Sequence, residues 1–132
     1  MKTVADAIDY ATRQPNVDSK RLGLAGFSLG AYLSLAVASI DKDVKAVVEY
    51  FGGLPEFFAG RVDTMPPTLI LHGAADRVVP VNEAYKLEAL LKSKHVPYEI
   101  KIYPEQGHGF FGADGEDALK RTLFFFDKNL KK

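Results

Sequence analysis

A chain of 132 residues with 47% apolar content has the length of one domain and enough nonpolar side chain to bury a core, which excludes disorder. Seventeen basic residues balance 17 acidic ones, so no charge excess points to a nucleic acid or an anionic membrane as partner. The absence of cysteine excludes a disulfide framework, a thiolate metal site and a thiol nucleophile. No signal peptide precedes Val4 and no apolar run reaches membrane-spanning length, so a cytoplasmic protein is expected.

Val4, Ala7, Ile8 and Ala11 share one face at helical spacing, which predicts a helix over residues 3–14 with Thr3 and Asp6 as a capping box. Pro15 and Asn16 end it, and 16–20 is a polar link. Arg21 to Phe27 is too short for a helix and reads as a buried strand, while Leu29 to Ile40 is long enough for a buried helix. Asp41 to Asp43 form a turn before a second strand from Val44 to Phe51. Residues 52–66 make a long connection carrying Leu54, Phe57, Phe58 and Met65, which must cover something. A third strand from Pro67 to Leu71 and a loop over 72–79 follow. Pro80 or Asn82 then opens a helix to about Lys94, with Ala84, Leu87, Leu90 and Leu91 on one face. Tyr98 to Tyr103 alternates like a strand, and a Gly-rich loop leads to a last helix. Asp114 is the expected cap of that helix, Asp117 its third residue, and Leu119, Leu123, Phe126 and Leu130 its buried face. Lys128, Lys131 and Lys132 suit the negative end of its dipole. Strands alternating with helices predict an α/β fold, about four parallel strands flanked by helices, in a single domain over 1–132.

Between the first strand and its helix stands Gly26-Phe27-Ser28-Leu29-Gly30. A strand that turns at once into a helix strains the residue at the turn and exposes its side chain at the carboxyl end of the sheet; flanking glycines let strand and helix approach. The pattern therefore reads as a nucleophile elbow with Ser28 at its tip, and the Leu29 amide at the helix start is the candidate oxyanion donor. Two further loops open on the same sheet edge. One holds His72 through Pro80, including Asp76, and the other holds Gly107-His108-Gly109-Phe110. A serine hydroxyl needs a base, for which His108 is placed between two glycines. The imidazole needs a carboxylate on its other nitrogen, for which Asp76 is best placed. The chain order Ser, Asp, His is that of α/β-hydrolases.

His72 directly leaves an apolar strand and reads as a structural histidine bonded within the loop; His95 reads as solvated. Arg77 reads as solvated or salt-bridged. Glu49, near the end of a buried strand, either lines the site or pairs with Arg77. Phe27, Phe57, Phe58 and Phe110 either shape an acyl pocket or pack in the core. No metal or cofactor is called for.

With these three motifs the sequence resembles an α/β-hydrolase of the dienelactone hydrolase-like family, over essentially its whole length. The resemblance implies ester hydrolysis through an acyl-enzyme, with Ser28 as nucleophile, Asp76 as acid and His108 as base, acting on small-molecule esters. Two features depart from the family. Dienelactone hydrolases proper have cysteine at the elbow, so Ser28 places the chain with the carboxylesterase branch. The chain also matches only the C-terminal half of the family fold, lacking the usual first four strands and, with them, the loop that supplies a second oxyanion donor. The alternative is a weak or inactive module that binds a ligand or partner, or a fragment that works only with its missing half. The strand carrying the elbow would then be an apolar edge without charge or proline over Leu22 to Phe27, which predicts a symmetric homodimer through that edge.

Overall fold

The structure, a computed structural model, describes residues 2–131. Among them, four strands form one parallel sheet: β1 (Leu22–Phe27), β2 (Val44–Tyr50), β3 (Thr68–Gly73) and β4 (Tyr98–Tyr103), in the spatial order β1-β2-β3-β4. The helices are α1 (Lys2–Thr12), α2 (Leu29–Ile40), the single turn α3 (Glu56–Ala59), α4 (Asn82–Ser93) and α5 (Gly112–Leu130). The predicted α/β architecture is thus observed, and α3 interrupts the long connection expected between the second and third strands.

Strand side chains alternate between the two faces of the sheet. Val47 and Ile70 point to one face and pack with Leu35 and Val37 of α2, Leu87 and Leu91 of α4, and Ile8 of α1. Ala46, Val48, Leu69, Leu71 and Tyr103 point to the other face and pack with Ala118 and Phe125 of α5. β3 is buried along its whole length, and β2 everywhere except Lys45, as parallel strands covered on both faces must be. Because strand order equals chain order, every crossover steps the same way across the sheet, and the crossover helices α2 and α4 lie on the same face. Only α5, after the last strand, crosses to the other face.

Three local expectations are corrected. α1 already includes Thr3, and Asp6 pairs with Lys2 rather than closing a capping box. α5 starts at Gly112 with Phe111 as its N-cap, so Asp114 lies inside the first turn and accepts a hydrogen bond from Gln106 (3.0 Å) instead of capping. The buried face of α5 is Ala118, Thr122 and Phe125; of the four residues expected there, Phe126 and Leu130 are partly buried and pack against that core, whereas Leu119 and Leu123 are 56% and 61% exposed. The small Ala118 and Thr122 take the middle of the inner face because they let α5 lie close to the sheet, where the Tyr50 hydroxyl donates to the Ala118 carbonyl (3.2 Å) and shares a hydrogen bond with Thr122. Leu119 and Leu123 lie on the β1 side, beside Phe27 and beside Val17 respectively, where the sheet ends. Lys128 is in the last turn of α5 and Lys131 caps it; Lys132 lies outside the described residues.

Candidate active site

β1 delivers Ser28 straight into the first turn of α2. The turn is tight enough that a Cβ on Gly26 would lie 2.2 Å from the Gly30 carbonyl oxygen and 2.7 Å from the Ala31 nitrogen, both immovable backbone atoms. Ser28 itself takes φ 54° and ψ −117°, a conformation that costs a non-glycine residue about 1–3 kcal/mol. Its surroundings hold it there. The Ser28 N–H donates to the Tyr50 carbonyl on β2 (2.9 Å), and its own carbonyl accepts from the Ala31 and Tyr32 N–H groups (2.9 and 3.1 Å). The Leu29 N–H follows at the start of α2, where first-turn amides have no acceptor within the helix.

The loops after β3 and β4 close on this turn. His108 Nε2 lies 2.8 Å from Ser28 Oγ, and His108 Nδ1 lies 2.9 Å from Asp76 Oδ2. The other Asp76 oxygen accepts the Val78 and Val79 N–H groups (2.8 and 2.9 Å), so the carboxylate is fixed in place and its side chain is fully buried. Burial works to raise the Asp76 carboxyl, but the hydrogen bonds from His108, Val79 and Val78 outweigh it and hold the carboxyl below its ordinary value. An ionised Asp76 only accepts, so Nδ1 of His108 carries the proton and Nε2 is left to accept the Ser28 hydroxyl. His72, expected in a loop, is a residue of β3, fully buried, with Nε2 donating to the Val79 carbonyl (2.8 Å). That bond pins the loop presenting Asp76.

Phe27, which directly precedes Ser28, and Phe110 line a cavity of about 300 Å³, together with Tyr50, Phe51 and Leu119. Phe57 and Phe58 lie elsewhere, on α3, edge to face with one another and with the Arg61 guanidinium over Phe57, and contribute nothing to this lining. Glu49 is fully buried and does not pair with Arg77; its Oε2 accepts the Gly52 N–H (2.9 Å). Sequence reasoning missed three residues. Tyr50 and Phe51 form an aromatic pair at a strand end, and the Phe51 ring sits edge-on to the His108 imidazole at 4.7 Å. Gln106 staples the His108 loop through both atoms of its amide to the Phe111 backbone and to Asp114. Its place two residues before His108 in a Gly-rich loop was the available signal. Among the described residues no group of three histidine, aspartate or glutamate side chains is set to hold a metal ion, and no helix is long and apolar enough to cross a membrane.

The carboxymethylenebutenolidase homolog of Xenopus tropicalis is 28% identical over 131 residues, covering 98% of this chain and 52% of that protein. A puromycin-hydrolyzing peptidase of Mycobacterium tuberculosis superposes with a TM-score of 0.85 at 25% identity, over 96% of this chain and 24% of its own. The esterase PE8 superposes with a TM-score of 0.76 at 27% identity, over 92% of this chain and 58% of its own. The chain spans about half the length of the carboxymethylenebutenolidase relatives it matches. The sequence model of the dienelactone hydrolase family matches residues 1–128, nearly the whole chain, and the chain belongs to that family.

Proposed function

We propose that this chain is a serine hydrolase that cleaves small carboxylic esters through an acyl-enzyme. The observation that carries the reading is the continuous hydrogen-bonded path from Ser28 Oγ through His108 to Asp76, with the serine held at a strained turn. As substrate binds, His108 Nε2 takes the Ser28 proton while Oγ attacks the ester carbonyl. The imidazolium is stabilised by the buried Asp76 carboxylate, and the oxyanion by the Leu29 N–H. Collapse of the tetrahedral intermediate expels the alcohol, which takes its proton from His108 and leaves Ser28 acylated. Water then attacks the acyl carbon with His108 again as base, releasing the acid and restoring Ser28. The aromatic cavity of about 300 Å³ suits a short apolar acyl or alkyl group.

The second reading, a weak or inactive binding module, is favoured by one observation: Leu29 is the single oxyanion donor assigned, and losing one such donor costs about 10²–10³ in turnover. An assay with p-nitrophenyl acetate and butyrate separates the two. Measurable turnover that vanishes in Ser28→Ala, with covalent labelling of Ser28 by a fluorophosphonate, is the expected result. A rate unchanged in Ser28→Ala, or labelling elsewhere, overturns the assignment.

The partner expectation belongs to the same proposal, as does a cytoplasmic location, which rests on the sequence alone. Among the described residues β1 pairs with β2 alone, and on the β1 side lie exposed Phe27, Leu119 and Leu123. A second copy of this chain suits that surface. The edge is self-complementary about a two-fold axis, and a chain with no net charge does not repel its twin.

A further inference from the structure

Glu49 stands one residue before the end of β2, between Gly26 of β1 and Ile70 of β3, beneath the turn that bears Ser28. It is fully buried. Oε2 accepts the Gly52 N–H at 2.9 Å, and Oε1 has no hydrogen-bond partner among the described residues. A charged residue in the centre of a parallel sheet needs a reason, and the mechanism above gives it none. The reason lies in what the Gly52 bond spans. Between Glu49 and Gly52 the chain leaves the sheet through Phe51, a non-glycine residue at φ 42° whose N–H is held by the Leu71 carbonyl (2.8 Å). That turn sets the Phe51 ring against the His108 imidazole at 4.7 Å and against Phe110 at 5.2 Å. Gly52 in turn lies against the serine turn: a Cβ there would be 2.9 Å from the Ser28 carbonyl oxygen.

We propose that Glu49, as the neutral acid, is a positioning residue for His108, acting through the Gly52 hydrogen bond and the left-handed turn at Phe51. An unpaired carboxylate at this site is far costlier than an unpaired neutral carboxyl, because a buried charge loses its hydration without a partner. Burial accordingly pushes the Glu49 carboxyl up to about 8, while the Gly52 N–H lowers it to a lesser degree. The titratable groups on the surrounding elements are few. Tyr32 of α2 senses the Glu49 charge, and Asp76 of the β3–α4 loop and Glu83 and Lys86 of α4 surround Tyr32. His72 is two residues beyond Ile70 on β3, and β1 contributes only Gly26. None of them bonds to Glu49. Ionisation therefore has no cation to satisfy it, and the side chain must draw in water or leave its seat on Gly52. Either way the turn that orders Phe51 and His108 is loosened, and hydrolysis gains an alkaline limit that Glu49 sets.

The inference rests on the hydrolytic reading of Ser28 and His108, so its test has one readout that needs no turnover. The kcat/KM of the full chain for p-nitrophenyl acetate is measured from pH 6 to 10, corrected for spontaneous hydrolysis, beside Glu49→Gln. The ring nitrogens of His108 are followed by ¹⁵N NMR over the same range. Glutamine keeps the acceptor for Gly52 and cannot ionise. The wild type is expected to lose on the order of tenfold to 10²-fold activity above about pH 8, and to show a His108 shift there. Glu49→Gln is expected to stay within about threefold at pH 7 and to lack both features. A limb and NMR step retained in Glu49→Gln, or a wild type with no His108 step between pH 7 and 9, overturns the proposal. Absent turnover with the Glu49-dependent NMR step intact would sink the hydrolase reading and leave the positioning role standing.

Discussion

Gly73 closes β3 at the point where the loops carrying Asp76 and His108 meet, and a single methyl group there should uncouple them. A Cβ on Gly73 would lie 2.2 Å from the Gln106 carbonyl oxygen, 2.6 Å from its carbon and 2.6 Å from the Gly107 carbonyl oxygen. All three are backbone atoms and cannot swing aside. Ordinary contact begins at 3.4 Å, so in Gly73→Ala the 104–109 loop must retreat by about 1.2 Å. Overpacking of this kind costs about 1–3 kcal/mol, offset by about 0.4–1 kcal/mol because alanine restricts the unfolded chain. A net loss of about 1–2 kcal/mol is expected. Activity should suffer more. Gly107 adjoins His108, whose two bonds of 2.8 and 2.9 Å tolerate little displacement, and a shift near 1 Å costs about 10²-fold. The assays are urea unfolding and kcat/KM for a short p-nitrophenyl ester. Gly60→Ala is the control, since its nearest atom is 3.8 Å away and its φ of −74° suits any residue. If Gly73→Ala matches Gly60→Ala in both assays, the close approach is refuted; if it loses stability but keeps its rate, the coupling to His108 is refuted.

Asp76→Asn should lower kcat by about 10³- to 10⁴-fold, because an amide cannot fix the imidazole tautomer as a carboxylate does. It should also flatten the acid limb of stability. The folded Asp76 carboxyl lies below its unfolded value, so its contribution is present above about pH 4 and is lost as pH falls through the folded value; chemical denaturation at pH 5 and pH 3 should show a smaller drop in the variant. Size exclusion with light scattering at micromolar concentration should show twice the 14.5 kDa chain mass, and Leu123→Lys on the exposed stripe beside β1 should return it to a monomer; a wild-type monomer rejects the dimer.

The elements that could be read from the sequence were those whose side chains obey one period and one environment. β2 and β3 are apolar runs because both faces are covered, and the strand–serine–helix motif is local, so neither needs knowledge of distant contacts. The three loops could be placed on one edge because parallel strands all present their carboxyl ends there. What escaped was set by tertiary contact. α5 carries two candidate apolar stripes, and the choice between Ala118-Thr122-Phe125 and Leu119-Leu123 depends on how closely the helix approaches the Tyr50 hydroxyl, which no periodicity encodes. Phe57 and Phe58 looked like pocket residues because apolar side chains in a long loop must cover something. They cover each other and Arg61 instead. The left-handed Phe51 gave no sign, since an aromatic residue is among the least expected there.

The same topology explains why so short a chain holds a full serine–histidine–aspartate path yet leaves it half-walled. The three residues come from the carboxyl ends of β1, β3 and β4, and β2 between them supplies the Tyr50 carbonyl that holds Ser28 and the turn that seats Phe51 on His108. Four consecutive strands are therefore sufficient to position every group on the path. They are not sufficient to enclose it. Crossovers that all step one way leave β1 with no strand on its outer side, and among the described helices α5 alone covers the opposite face. The uncovered remainder is where Phe27 and Leu119 are exposed on the flank of the aromatic cavity, and Leu123 beside Val17. In the proposed mechanism, water exclusion and a second oxyanion donor beside the Leu29 N–H are left to whatever covers that flank. On the proposed hydrolytic reading, nucleophile activation is built into these strands, while transition-state stabilisation depends on the surface the β1 edge presents.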